Sequence, residues 1–162
     1  MKLAKVKTLL FLLLLPVVLG LAQALTSPRH GGEWPLLDIP LVVVILAATQ
    51  YPSLKAIAFG WLAGLSQDIF TGELLGLNAF AKMVVAVGVL FCLGWSEVKG
   101  FGFSLAMVVA GTFAEILAGN LMASLGERGT VPLWTASGHM LLGNVLLFSI
   151  LYLAVRRRDG RR

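Results

Sequence analysis

Residues 64–77 read GLSQDIFTGELLGL, and this stretch decides how the chain is organised. One apolar run ends at Asp68, a break follows at Thr71 and Gly72, and Glu73 precedes a second apolar run. A glycine between two apolar runs is typical of a tight turn. The stretch therefore predicts two antiparallel helices joined by a short connection. It also raises the question of why so apolar a chain keeps charged residues there.

The composition predicts an integral membrane protein. Of the 162 residues, 58% are hydrophobic and 13% are charged, and the mean hydropathy is +0.89. A typical soluble domain carries about 25% charged residues, so this chain has too few charges to cover a soluble surface. The formal net charge of +5 comes from basic residues concentrated near the two ends. That distribution favours membrane topology over nucleic-acid binding.

The apolar runs predict an all-α membrane protein with one domain covering residues 1–162. A spanning helix needs about 20 apolar residues. This length predicts six transmembrane helices, at about 8–25, 37–50, 53–70, 74–95, 101–125 and 132–155.

Two alternatives remain open. The first run has the basic start, apolar centre and Ala-Gln-Ala sequence of a cleavable signal peptide. Its length, about 18 residues, favours an uncleaved helix instead. The second run is short, and it could be re-entrant or interfacial, which would give five spanning helices.

Charge predicts the orientation of the six helices. If the N-terminus is cytoplasmic, most of the Lys and Arg residues lie on the cytoplasmic side, and only Arg29 and Arg128 lie outside. Cytoplasmic segments of membrane proteins are enriched in Lys and Arg. We therefore expect both termini to be cytoplasmic. The cytoplasmic set is Lys2, Lys5, Lys7, Lys55, Lys99, Arg156, Arg157, Arg158, Arg161 and Arg162.

Three ionisable residues fall inside the predicted spans: Asp68, Lys82 and Glu115. A charge at the bilayer centre costs about 2.5–3.5 kcal/mol, so such residues face the protein interior and pair. We expect Lys82 to be shared by Asp68, Glu115 or both, in the outer half of the bilayer. The cluster could be structural, a partner or ligand contact, or part of a proton or ion relay. A scarcity of polar residues in the inner half favours the structural role.

Small residues recur beside two of these carboxylates. Gly60, Gly64, Asp68 and Gly72 are spaced four apart, and Gly111 precedes Glu115 by the same interval. Small residues at this spacing let membrane helices approach closely. The sequence therefore predicts helix packing at Gly60, Gly64, Gly72, Gly76, Gly111 and Gly119, and along the row Ala106, Ala110, Ala114 and Ala118.

Motifs for catalysis or cofactor binding are missing from the sequence. It contains neither a phosphate-binding glycine loop followed by Lys-Ser/Thr, nor HExxH, nor GxSxG. Its single cysteine, Cys92, and its two histidines form no cluster with metal-ligand spacing. The sequence therefore predicts a non-enzymatic protein without a cofactor or a metal.

The stretch 60–80, GWLAGLSQDIFTGELLGLNAF, resembles the MreD family of bacterial rod-shape-determining membrane proteins. In that family, a helix ends in G-x-x-x-G-L-x-x-D and is followed by a small residue, Gly and L-G-L. The matching residues are Gly60, Gly64, Leu65, Asp68, Thr71, Gly72, Leu75, Gly76 and Leu77. Thr71 stands where Ser is more usual, and Asp38-Ile39-Pro40 stands where the family more often has Pro-Asp.

The resemblance implies a non-enzymatic scaffold of the cell-elongation machinery in the bacterial inner membrane. Such a protein would bind MreC and would work with MreB, RodA and a class B penicillin-binding transpeptidase. The family's fold is similar to the six-helix substrate-binding subunits of energy-coupling-factor vitamin transporters. Those subunits are the main alternative, because they hold a vitamin in the outer half, where Asp68, Lys82 and Glu115 are expected. An unrelated small membrane protein is the third possibility.

Overall fold

Six α-helices make up the part of the chain that the structure describes. The computed structural model describes residues 2–27, 35–50, 54–72, 74–95, 100–125 and 133–159. The helices are α1 (Lys2–Thr26), α2 (Ile39–Gln50), α3 (Leu54–Thr71), α4 (Leu77–Trp95), α5 (Phe101–Leu125) and α6 (Leu133–Asp159). The described chain is therefore all-helical, as the sequence predicts.

The helix boundaries follow local chemistry. Asp38 is the N-cap residue of α2, because its Oδ1 atom accepts a hydrogen bond of 2.7 Å from the Leu41 backbone nitrogen. Pro40 follows in the first turn, where a missing backbone N–H is tolerated. Between α3 and α4, Gly72 and Gly76 have φ angles of 72° and 96°. These left-handed conformations favour glycine, and they delay the start of α4 to Leu77, three residues later than predicted.

The shortest helix lies at the centre of the fold. α2 packs against each of the other five helices. Around it, α1 packs on α3, α3 on α4, α4 on α5, and α5 on α6. The α2 residues Leu41, Val42 and Ile45 belong to the larger hydrophobic core, and Val44 belongs to a second one formed with α1 and α3. The helix that the sequence marks as the weakest span is therefore the most enclosed.

Three helical segments are long and apolar enough to cross a membrane, within the residues described: Leu77–Trp95, Phe101–Ala118 and Gly138–Arg157. Two shorter apolar helical segments are Leu13–Thr26, within α1, and Ile39–Gln50, which is α2. Many large apolar side chains point outward, such as Phe91 on α4, Leu117 on α5 and Leu146 on α6. Lengths and surfaces of this kind are those of a membrane protein.

Two of the predicted packing glycines bring α3 and α4 into close contact. A Cβ atom added at Gly60 would lie 2.9 Å from the Lys82 carbonyl oxygen. One added at Gly64 would overlap the Asn78 carbonyl oxygen and the Ala79 nitrogen. On α5, Gly111 is buried, and its added Cβ would lie 3.1 Å from Ile45 Cδ1. These glycines are needed for close packing between helices.

Other predicted packing positions have different roles. A Cβ atom added at Gly72 or Gly76 would meet nothing within 4 Å, so these two glycines form the turn and do not pack helices. Ala106, Ala110 and Ala114 are exposed and Ala118 is half-buried, so most of this alanine row does not pack inside the chain. Any packing by Gly119 lies outside the described residues.

Candidate functional site: a buried charge cluster

Lys82 on α4 is the centre of a buried charge cluster. Its Nζ atom lies 2.9 Å from Asp38 Oδ2 and 2.6 Å from Glu115 Oε1. The exposed fractions of Lys82, Asp38 and Glu115 are 0%, 2% and 6%. The cluster therefore joins the start of α2, the first turns of α4 and the middle of α5. We call these three residues the Lys82 cluster.

Asp38 is held in place by more than the lysine. In addition to the N-cap hydrogen bond, Asp38 Oδ2 accepts a hydrogen bond of 3.4 Å from Gln67 Nε2 on α3. The Asp38 backbone nitrogen donates to Asn144 Oδ1 on α6 over 2.6 Å. Hydrogen bonds from three helices therefore fix both the backbone and the carboxylate of Asp38.

Two further amide side chains secure the segment that leads into α2. Asn144 Nδ2 donates to Thr112 Oγ1 over 2.9 Å, which connects α6 with α5. Gln23 on α1 donates to the Leu37 carbonyl oxygen and accepts from the Ile39 backbone nitrogen, each over 3.0 Å. A backbone outside regular structure needs such partners when it is buried. Polar side chains of α1 and α6 supply them here.

Glycines allow the same segment to approach its neighbours. A Cβ atom at Gly143, next to Asn144, would overlap the Leu36 carbonyl oxygen. On α1, Gly20 packs against the Ser66 backbone, and the Ser66 hydroxyl donates to the Pro16 carbonyl oxygen over 2.6 Å. The contact at Gly143 brings α6 close to the segment before α2, and the contacts at Gly20 and Ser66 bring α1 close to α3.

Asp68 does not belong to the Lys82 cluster. Its carboxylate accepts hydrogen bonds from the backbone nitrogens of Gly76 (2.8 Å), Asn78 (3.1 Å) and Ala79 (3.4 Å). These N–H groups lie at the first turn of α4, where helix N–H groups have no partner within the helix. The predicted pairing of Asp68 with Lys82 is therefore wrong, because the Asp68 carboxylate binds the backbone N–H groups at the start of α4 instead.

Of the three predicted site residues, the structure brings together Lys82 and Glu115. The third member of the cluster, Asp38, is not among the residues that the sequence predicted for the site. It contributes to the sequence analysis only through the family resemblance. The available signal was an Asp just before an apolar run with Pro in its first turn, which is typical of a helix start. The periodicity of apolar residues does not predict that four polar side chains lie around the start of α2: Gln23, Gln67, Thr112 and Asn144.

The Lys82 cluster is closed on itself. Its charged groups contact one another and neighbouring amides, and all are buried. Among the described residues, no group of three or more His, Cys, Asp and Glu side chains could hold a metal ion. Removing a partner so that a buried charge is left uncompensated costs about 3–5 kcal/mol. The arrangement is suited to fixing how α2, α4 and α5 pack.

No family model, curated protein or solved structure matches this chain.

Proposed function

We propose that this protein is a non-enzymatic scaffold of the bacterial cell-elongation machinery, similar to MreD proteins. In this proposal it lies in the inner membrane and binds MreC. Through MreC it helps to organise peptidoglycan synthesis by RodA and a class B penicillin-binding transpeptidase, together with MreB. The 60–77 segment is the observation that carries the proposal.

Five of the residues that match the MreD pattern have identifiable structural roles. Gly60 and Gly64 permit the contact between α3 and α4. Asp68 caps α4, and Gly72 and Gly76 adopt the positive φ angles of the turn. Glycine fits the close helix contact and the positive φ angles, and a carboxylate fits the start of a helix. This agreement supports the resemblance on which the function is inferred.

The closed Lys82 cluster also supports a scaffold. A protein that captures a solute needs polar groups that remain available to the solute. Here Asp38, Lys82 and Glu115 contact each other, and Asp38 also contacts Gln67. Buried polar networks of this kind can fix a single packing arrangement. A rigid bundle with outward apolar faces is suited to hold the membrane helix of a partner.

The topology in this proposal has six membrane-embedded helices with both termini in the cytoplasm. Three segments have sufficient length and hydropathy by themselves. At 1.5 Å per residue, the 12 residues of α2 extend about 18 Å, less than the hydrocarbon core of about 30 Å. A short helix is tolerated at membrane depth when protein surrounds it. The central position of α2 supplies that protection.

Cysteine labelling tests the topology with a matched pair of positions. Leu75, between α3 and α4, is 68% exposed, and Leu54, at the first residue of α3, is 81% exposed. In a Cys92→Ser background, a membrane-impermeant maleimide should label Leu75→Cys in intact spheroplasts. It should label Leu54→Cys only after the membrane is opened. The reverse pattern would overturn the proposed orientation, and equal labelling of both positions would place them on one side.

A pulldown tests the function. The tagged protein would be extracted from its native membranes in a gentle detergent, and its companions identified by mass spectrometry. An unrelated helical membrane protein with the same tag is the control. Specific recovery of MreC with RodA or the transpeptidase supports the scaffold. Recovery of an ATPase pair with a coupling membrane subunit would make the protein a solute-capture subunit instead. Recovery of neither set would remove the elongation role.

A further inference from the structure

The Lys82 cluster has more negative groups than positive ones. Two carboxyl groups, on Asp38 and Glu115, contact one ammonium group, on Lys82. All three side chains are buried. If both carboxyl groups were ionised, the cluster would keep one excess negative charge in an apolar interior, where an unpaired charge is very costly. The cluster therefore requires one more positive charge.

The surrounding helices do not provide that charge. Lys82 is the one buried cation among the side chains that the structure describes. Asp68 on α3 is itself a carboxylate, and it binds the start of α4. The basic side chains described on α3 and α6 are exposed: Lys55, His139, Arg156 and Arg157. The titratable side chains Cys92 on α4 and Tyr152 on α6 are half-buried, and neither can supply a positive charge. The N-terminus of α2 contributes a partial positive charge of about half a unit, and this lies at Asp38.

The two carboxyl groups have unequal surroundings. Asp38 receives hydrogen bonds from Leu41 N, Lys82 Nζ and Gln67 Nε2. Glu115 receives one from Lys82, on Oε1. Hydrogen bonds from donors stabilise the ionised form of a carboxyl group. The geometry therefore favours an ionised Asp38 and a neutral, protonated Glu115.

Two buried atoms that lack hydrogen-bond partners support the same conclusion. Among the described residues, the buried side-chain oxygen and nitrogen atoms without a hydrogen-bond partner are Glu115 Oε2 and Gln67 Oε1. Both belong to side chains arranged around the Lys82–Asp38 pair. Buried polar atoms are rarely left unpaired in native proteins. A hydrogen on Glu115 Oε2 would make this atom a donor in a region that has acceptors in excess.

We propose that Glu115 is a proton-binding site that stays occupied at neutral pH, so that Lys82 and Asp38 form the ion pair. The neutral Glu115 accepts a hydrogen bond from Lys82 on Oε1 and carries its proton on Oε2. The site exists whether or not the protein binds MreC.

Infrared spectroscopy of the purified protein, in detergent at neutral pH, tests the site directly. A protonated carboxylic acid has a carbonyl stretching band that an ionised carboxylate lacks. We expect such a band in the wild type. It should disappear in Glu115→Gln. It should also disappear in Asp38→Asn if that variant folds, because Glu115 is then the one carboxyl group beside Lys82 and should ionise. Absence of the band from the wild type, or its persistence in Glu115→Gln, would overturn the proposal.

Thermal stability gives a second test. Glutamine is a neutral isostere of protonated glutamate, so Glu115→Gln should fold and change Tm at neutral pH by less than about 2 °C. Asp38→Asn removes the ionised partner of Lys82 and moves the charge to Glu115, which lacks the hydrogen bonds that Asp38 receives from Leu41 and Gln67. It should lower Tm by about 6 °C or more, or prevent folding. If Glu115→Gln fails to fold, or loses as much as Asp38→Asn, then Glu115 is ionised and the proposal is wrong.

The pH dependence follows from the same proton. The folded state binds this proton more tightly than the unfolded state, so stability should fall as rising pH removes it. Loss of the proton gives Glu115 a negative charge close to that of Asp38. The repulsion between the two carboxylates favours separation of α5 from α2. Glu115→Gln should show a smaller decrease in Tm at alkaline pH, because only Lys82 then titrates in the cluster. Identical decreases in the two proteins would contradict the assignment to Glu115.

Discussion

Asn144 Oδ1 lies 2.6 Å from the backbone nitrogen of Asp38, although 106 positions separate the two residues. The same side chain donates a hydrogen bond to Thr112 on α5. Asn144 therefore joins the segment before α2 to both α5 and α6. By fixing the backbone of Asp38, it also orients the carboxylate that pairs with Lys82.

Replacing Asn144 with Ala should destabilise the protein. The change leaves the Asp38 N–H without its buried partner, which costs about 1–3 kcal/mol. It also removes one hydrogen bond from the Thr112 hydroxyl, which still donates to the Val108 carbonyl. Unfolding by SDS in mixed micelles would measure the free energy. Ser149→Ala is the control on the same helix, because the half-buried Ser149 hydroxyl bonds only to Val145 of its own helix. Equal losses in the two variants would show that Asn144 has no special role.

Lys82→Met should lower stability by about 3–5 kcal/mol, because it leaves Asp38 as an uncompensated buried carboxylate. Lys55→Met, at an exposed position near the start of α3, should change stability by no more than about 0.5 kcal/mol. The double variant Lys82→Met with Asp38→Asn removes both charges and should lose less than the sum of the single changes. Strict additivity would argue against the ion pair.

Asp68→Ala should destabilise the connection between α3 and α4. It removes the acceptor of the Gly76 and Asn78 N–H groups, at a cost of about 1–3 kcal/mol. Thr71→Ala, whose hydroxyl bonds to the Gln67 carbonyl of the same helix, is the matched control. Pulldown would complete the experiment. A fully stable Asp68→Ala protein that no longer recovers MreC would mean that Asp68 contacts the partner and does not brace the turn.

Two glycines should respond in opposite ways to the same substitution. At Gly64, a methyl group would overlap the backbone at Asn78 and Ala79, so Gly64→Ala should cost about 1–3 kcal/mol as α3 and α4 move apart. At Gly88 on α4, the added Cβ would meet nothing within 4 Å. Gly88→Ala should therefore stabilise by up to about 1 kcal/mol, through helix propensity. A similar effect of the two changes on Tm would contradict the observed packing of α3 on α4.

The sequence alone determined the helical segments and much of their local chemistry. Long apolar runs require backbone hydrogen bonds within each segment in a membrane, so length predicted the helices to within a few residues at most ends. The break at Gly72 predicted the turn. Charge in an apolar chain predicted that Lys82 and Glu115 would be buried. These features depend on residue type and on neighbours along the chain.

The tertiary structure decided which residues meet. The helices are apolar on nearly all sides, and burial against lipid and burial against protein select the same side chains. The periodicity of the sequence therefore does not predict which face of a helix packs against protein. The alanine residues on α5 that were predicted to pack, but are mostly exposed, are an example. Asp68 and Asp38 are both carboxylates at helix ends. Only the depth and rotation of the packed helices directed Asp68 to the start of α4 and Asp38 to Lys82.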